Sequence, residues 1–298
     1  MILKSEFSFV LLFFTFISKY VSTYQIQHKT KPSPTPYHDW DYLMFSQRWA
    51  ITSCAEWQAA KPDNTCTMPS NKDQWEVHGI WPTKIGTEGP LFCPSAIHFD
   101  PDLLDPLLDD LKEHWTNIEG NTKPYSFWKH EWDKHGTCSV TLPLLDSIPN
   151  FFMKGLEWNK LYNLTNMLAQ SNIVPSSNGY SVEEVAGAIK SITKYDPMIQ
   201  CVVDPHTKLS MISEIRICLN KSFELIDCDP TNPVNNKLKS VITNCGEKKP
   251  VMYLAAVPNK LVSYQMDYID EYTEEEMIRT SFYMEFYELL KFLIWITI

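Results

Sequence analysis

Eight cysteines, at positions 54, 66, 93, 138, 201, 218, 228 and 245, constrain this 298-residue chain more than any other feature. None of them stands in the short CxxC spacing of a zinc ribbon, so the even set reads as four disulfides made in an oxidising compartment. The amino terminus agrees. MILKSEFSFVLLFFTFISKYVSTY carries Lys4, an apolar run from Phe7 to Ile17 and small polar residues around Ser22 and Thr23. That is the pattern of a secretory signal peptide cleaved near residues 22 to 24, with an apolar run too short to span a bilayer comfortably. The sequons NLT at Asn163 and NKS at Asn220 fit secretion, each a weak signal alone. Counting does not fix which cysteine pairs with which.

Charge narrows the range of partners. With 36 acidic and 26 basic residues the net charge is −10, and half of that excess lies beyond residue 258, where eight acidic and three basic residues give −5. Such a chain has no broad basic surface for gripping a long duplex, so any nucleic acid must be held locally.

The chain divides into a signal peptide (1–23), a Pro-rich flexible lead-in (24–37), one folded domain (38–258) and an acidic, then apolar, tail (259–298). The tail's last stretch, FYELLKFLIWITI, is interrupted by Glu288 and Lys291, too short and too charged for a membrane span. Within the domain, aromatic-rich 38–51 predicts a strand, with a polar loop between Cys54 and Cys66. WEVHGIWP (75–82) predicts a buried strand stopped by Pro82. Asp100 as N-cap and Pro101 at the first helical position open a helix with leucines at helical spacing. A second helix is expected from Ser126 as cap to Gly136, a third over 151–170, and a fourth at SVEEVAGAIKSI with Ser181 and Glu184 as a capping box. MIQCVV, EIRICLN, FELIDC and VMYLAAV then read as strands. Helices and strands in separate runs predict an α+β single domain, a mainly antiparallel sheet flanked by helices and braced by disulfides.

The segment HEWDKHGTC (130–138) carries the densest chemistry. A zinc protease sets its two His ligands at i and i+4; here they are at i and i+5, about 140° apart on a helix, which makes shared ligation of one ion awkward. On that helix Glu131 stands one turn below His135, and His130 one turn below Lys134. Two His, a Glu and a Lys on one side suit proton transfer around an anion. His78, in WEVHGIWP, would by itself read as a packed or hydrogen-bonded histidine.

Taken together, FWKHEWDKHGTC and the upstream HGIWP resemble the two active-site segments of the ribonuclease T2 family, secreted or lysosomal acid endoribonucleases. The resemblance covers roughly residues 38 to 258 and leaves out the tail. It implies a substrate of single-stranded RNA, no cofactor, no obligate metal, a monomer, and a location outside the cell or in an acidic, lysosome-like lumen. It implies His135 as base and His78 as acid, Glu131 and Lys134 stabilising the transition state, His130 holding phosphate and Trp81 near a base pocket. Histidine suits both proton-transfer tasks, because a pKa of about 6.5 lets one ring be neutral while the other is charged at mildly acidic pH. Stacking on Trp81 is worth about 1 to 3 kcal/mol without sequence preference, though core packing is the competing role for any tryptophan. By the same similarity the disulfides pair Cys54 with Cys66, Cys93 with Cys138, Cys201 with Cys245 and Cys218 with Cys228. One departure is Ala50 after Trp49, where the family commonly has proline. Two other readings compete: a secreted signalling or host-interacting glycoprotein on the same fold, and a zinc hydrolase weakened by the i+5 spacing.

Overall fold

The computed structural model describes residues 38–258, apart from 62, 88, 204–208, 229–236, 239–240 and 247–249. The expected signal peptide, lead-in and tail lie outside the described residues.

Strand β1, Tyr42–Trp49, is buried at every position. Leu43 and Phe45 enter one core cluster while Tyr42 and Met44 enter another, the period-two alternation of a strand covered on both faces. With β2 (Trp75–Thr83), β3 (Met198–Val203), β4 (Ser210–Leu219), β5 (Leu225–Ile226), β6 (Lys237–Leu238), β7 (Val241–Thr243) and β8 (Val251–Met252) it forms an eight-stranded sheet. The order is β2-β1-β4-β3-β7-β6, with β5 and β8 pairing onto β4. Pairing is antiparallel except for β3 with β7 and β4 with β8. Pro82 does not stop β2, which continues to Thr83; β2 ends the strand order, where a residue lacking an N–H is tolerated.

Helices depart from expectation in instructive places. α1, Ala50–Ala60, follows β1 with no intervening loop, and the expected polar loop begins only after it. Its alanines and lack of Gly and Pro favour helix, but its small apolar residues give little amphipathic signal. After Asp100, whose side chain accepts from the Asp102 N–H, Pro101–Leu107 forms a tight 3-10 helix before α2, Leu108–His114. Ser126 is not a cap: Tyr125, with φ of 62°, takes that position without a side-chain bond, and α3 spans Ser126–Glu131. Gly136 does not end the helix. Trp132–Gly136 instead forms a wide π turn, with the Thr137 N–H donating to the Trp132 carbonyl, and α4, Thr137–Ser139, continues it. The expected helix over 151–170 is two: α5, Ile148–Leu161, and α6, Leu164–Ala169, capped by Asn163. α7, Val182–Thr193, starts at the Ser181/Glu184 capping box as expected.

α5 and α7 cover one face of the sheet. Phe151, Phe152 and Trp158 of α5 share a core cluster with Leu43, Phe45, Val77 and Ile80, and Val185 and Ile189 of α7 share one with Ile199 and Ile215. On the other face the register sets Glu76, Arg48, Glu214 and Gln200 side by side across β2, β1, β4 and β3. This polar row underlies the site.

Four disulfides brace the frame: Cys54–Cys66, Cys93–Cys138, Cys201–Cys245 and Cys218–Cys228, the pairing that the resemblance implies. Cys138 lies just past the π turn, so its bridge anchors the segment that carries His135. Replacing Cys93 and Cys138 together with alanine is expected to cost about 2 to 4 kcal/mol, read from urea unfolding, with a loss of activity that exceeds the unfolded fraction.

Candidate active site

His78 owes its place to a β-bulge. Gln47 pairs with Val77 and Ser46 with Gly79, leaving His78 as the extra residue of β2. The bulge shifts the side-chain alternation by one. Val77 and Ile80, three apart, therefore enter the same core cluster, and His78 and Trp81 meet on the opposite face with ring centroids 5.0 Å apart. The His78 carbonyl, taken out of the regular ladder, accepts the Trp115 indole N–H at 3.0 Å.

Trp81 is the hub. Its Nε1 donates to Glu131 Oε2 at 3.0 Å, its ring lies 5.2 Å from the His135 ring at 32° between planes, and the Arg216 guanidinium sits over it at 4.8 Å. Glu131 Oε1 is 3.7 Å from His78 Nε2. The two imidazoles that stand 57 positions apart in the chain thus flank one indole, with Glu131 hydrogen-bonded to it. Gly79 makes room for this arrangement, since a Cβ there would stand 2.1 Å from Glu131 Oε2 and 2.4 Å from Trp81 Nε1.

Burial shifts two titratable groups of this cluster. Burial pushes the Glu131 carboxyl up, against the lowering effects of His78 and the Trp81 hydrogen bond. Burial also lowers His135 well below the ordinary histidine value, assisted by the positive charge of Lys134 and by His78 and His130. His135 Nδ1 finds no hydrogen-bond partner among the described residues.

A cleft of about 1050 Å³ runs over the polar face of the sheet. His78, His130 and Glu131 line one part of it, Arg48, Glu214 and Arg216 its floor, and Glu56 and Trp57 of α1 another wall. Trp81, Lys134 and His135 are not part of that lining. His135 joins the cluster through the Trp81 ring, and the Lys134 carbonyl holds the Phe92 N–H at 2.9 Å. The helical picture that put all four titratable side chains of HEWDKHGTC on one side is thereby corrected, because the segment is not a continuous α-helix. Among the described residues no three His, Cys, Asp or Glu side chains are grouped to hold a metal ion. Asn163 is exposed and caps α6 through its side chain, whereas the half-buried Asn220 donates from Nδ2 to Glu224 at 2.8 Å.

Sequence reasoning missed Ser46, Arg48, Glu76, Glu214 and Arg216. Glu214 Oε1 lies 2.5 Å from His78 Nδ1, and its other oxygen receives Ser46 Oγ at 3.1 Å and Arg216 Nη2 at 2.7 Å. The available signal was charge at alternate positions of EIRIC within an otherwise apolar strand, the mark of polar groups facing a site from a buried sheet.

A model of the Ribonuclease T2 family matches residues 40–228. Ribonuclease Oy of Magallana gigas is 38% identical over 218 residues, covering 72% of this chain and 96% of that protein. The crystal structure of human RNase T2 superposes with a TM-score of 0.58 at 29% identity, covering 72% of this chain and 98% of its own. RNase NT in complex with 5′-AMP superposes with a TM-score of 0.54 at 26% identity, covering 64% and 91% of the two chains. The chain belongs to the ribonuclease T2 family, as a T2-type endoribonuclease.

Two predictions follow from this packing. Gly79→Ala forces apart the Trp81–Glu131 hydrogen bond and is expected to lower RNA cleavage at least about tenfold while far-ultraviolet circular dichroism stays unchanged. Glu76 is pushed up to about 7 by burial, against the hydrogen bonds from Thr116. An unfolded glutamate releases its proton near pH 4.3. The folded state therefore binds more protons across that window, so this contribution to stability is full below about pH 4.3 and is lost as pH rises through about 7. Relative to wild type, Glu76→Gln should gain melting temperature as pH rises from 5 to 8, the difference between the two curves isolating this group.

Proposed function

We propose that the protein cleaves single-stranded RNA without a metal, using His135 as base and His78 as acid. The observation that carries this reading is the convergence of both imidazoles on Trp81 with Glu131 bonded to the same indole. RNA brings its own nucleophile, the 2′-OH, next to the phosphodiester, so no metal-bound hydroxide is required.

His135, kept neutral by burial, takes the proton of the 2′-OH. The 2′-oxygen attacks phosphorus, the bond to the 5′-oxygen breaks, and His78 Nε2 gives that oxygen its proton. The products are a 2′,3′-cyclic phosphate and a 5′-hydroxyl. In a second stage water adds to the cyclic phosphate with the two histidines exchanging roles, leaving a 3′-phosphate. A Glu131 carboxyl that burial holds toward its protonated form can share a proton with a phosphoryl oxygen as negative charge gathers there. Lys134 adds positive charge from beside His135, and the exposed His130 on the cleft rim is placed to hold a phosphate. Trp81 holds the catalytic groups together, its ring packed against His135 and Arg216. The cleft admits a splayed single strand more readily than a stiff duplex. Four disulfides and the exposed sequon at Asn163 support export to an oxidising or acidic lumen. Among the described residues no helix is long and apolar enough to cross a membrane.

Each positioned acid or base is worth about 10² to 10⁴ in rate, so His78→Ala or His135→Ala should reduce turnover by at least about 10² while the variants stay folded. Cleavage should persist in EDTA, spare DNA, and give cyclic-phosphate ends detectable by mass spectrometry. The lowered His135 places the acid limb of the pH–rate profile below pH about 6.5. Turnover near the wild-type level in either alanine variant, or loss of activity in EDTA, would refute the scheme.

A further inference from the structure

We propose that Glu214 is a positioning residue for His78, fixing the ring through Nδ1 so that Nε2 is presented to the scissile phosphate. The proposal rests on the acid/base reading above and concerns a side chain 136 positions away in the chain. Glu214 Oε1 and His78 Nδ1 are 2.5 Å apart, while His78 Nε2 points the other way, to within 3.7 Å of Glu131. The ring therefore has a held nitrogen and a working nitrogen.

Glu214 is itself held. Ser46 Oγ donates to Oε2 at 3.1 Å, and Arg216 does so from Nε at 3.0 Å and Nη2 at 2.7 Å. Burial pushes this carboxyl up, but the charges of Arg216 and His78 and their hydrogen bonds outweigh it and keep it far below the usual carboxylate range. An ionised carboxylate can only accept, so Nδ1 must carry a hydrogen. That leaves Nε2 as the nitrogen that gives or takes the reaction's proton, and it sets an anion against the imidazolium that an acid requires. A second bulge makes the contact possible. Gln200 pairs with Glu214 and Cys201 with Ile212, so Ser213 is the extra residue of β4, as His78 is of β2. Both bulges occur on the strands that contribute the pair, one residue from Glu214 in β4 and at His78 itself in β2. Bulges commonly re-aim side chains next to active sites.

The other charged groups around the ring are Glu131 and His130 on α3, His135 on the π turn, Arg48 on β1, Glu56 on α1 and Arg216 on β4. Among the described residues Glu214 alone makes a hydrogen bond to a His78 ring nitrogen. Arg216 would keep a partner in Glu214→Asp, whose shorter side chain withdraws from the ring, whereas Glu214→Gln keeps the length and removes the charge.

Steady-state cleavage of a short single-stranded RNA by wild type, Glu214→Gln, Glu214→Asp and His78→Ala tests this. Both Glu214 variants should lose at least about tenfold in kcat with KM within about twofold, and in Glu214→Gln the alkaline limb of the pH–rate profile should move to lower pH. Adding Glu214→Gln to His78→Ala should cost less than about twofold more, because a residue that acts through the ring has nothing left to position. Circular dichroism and melting curves establish that each variant is folded, and Glu214→Asp serves if Glu214→Gln is not. The proposal is overturned if folded Glu214 variants keep wild-type kcat and profile, or if the loss is equally large without His78. If His78→Ala itself remains active, the acid/base reading falls instead, a separate outcome.

Discussion

The extra residue in β2 at His78 is the constraint on which the site depends. A regular strand would send His78 and Trp81 to opposite faces. With the bulge, Val77 and Ile80 fill one core while His78 and Trp81 meet above the polar face. The cost of the broken ladder is offset locally, since the displaced carbonyl is taken by the Trp115 indole, itself fully buried among Phe151 and Phe152. The aromatic packing of α5 against the sheet therefore supports the irregular backbone from which the chemistry is mounted.

Burial then sorts the titratable groups. His135 is driven toward its neutral form and Glu131 toward its protonated one, both chiefly by exclusion from water. Glu214, on the cleft floor, is driven the other way because Arg216 and His78 are close enough to outweigh desolvation. Burial thus favours a neutral imidazole and a protonated carboxyl where no strong opposite charge is near, and an anion where Arg216 and His78 are within hydrogen-bond reach.

How much of this was legible in the sequence depends on range. His78, Trp81, Glu131 and His135 lie in two short motifs, and the α+β class follows from segregated helical and strand patterns. The cap pair Ser181/Glu184 was readable because both of its members are local. Glu214 was not, because its pairing with His78 depends on the register of β4 against β1 and on two bulges, neither of which leaves a local signal. The π turn was hidden for a related reason: the i+5 spacing of the histidines counts against zinc on an α-helix but does not say that the helix itself widens. α1 lacked a clear stripe, and the break between α5 and α6 required weighing Asn163 as a cap rather than as a sequon.

β2 is the outermost strand at its end of the sheet, and an unprotected outer strand invites pairing with another molecule. Here it carries a bulge at His78 and a proline at position 82, which supplies no donor. The irregularities that aim the His78 imidazole also spoil the template for intermolecular strand addition. A substitution that straightened β2 would therefore both blunt the chemistry and expose a sticky margin, so that insolubility and inactivity would arise from the same lesion.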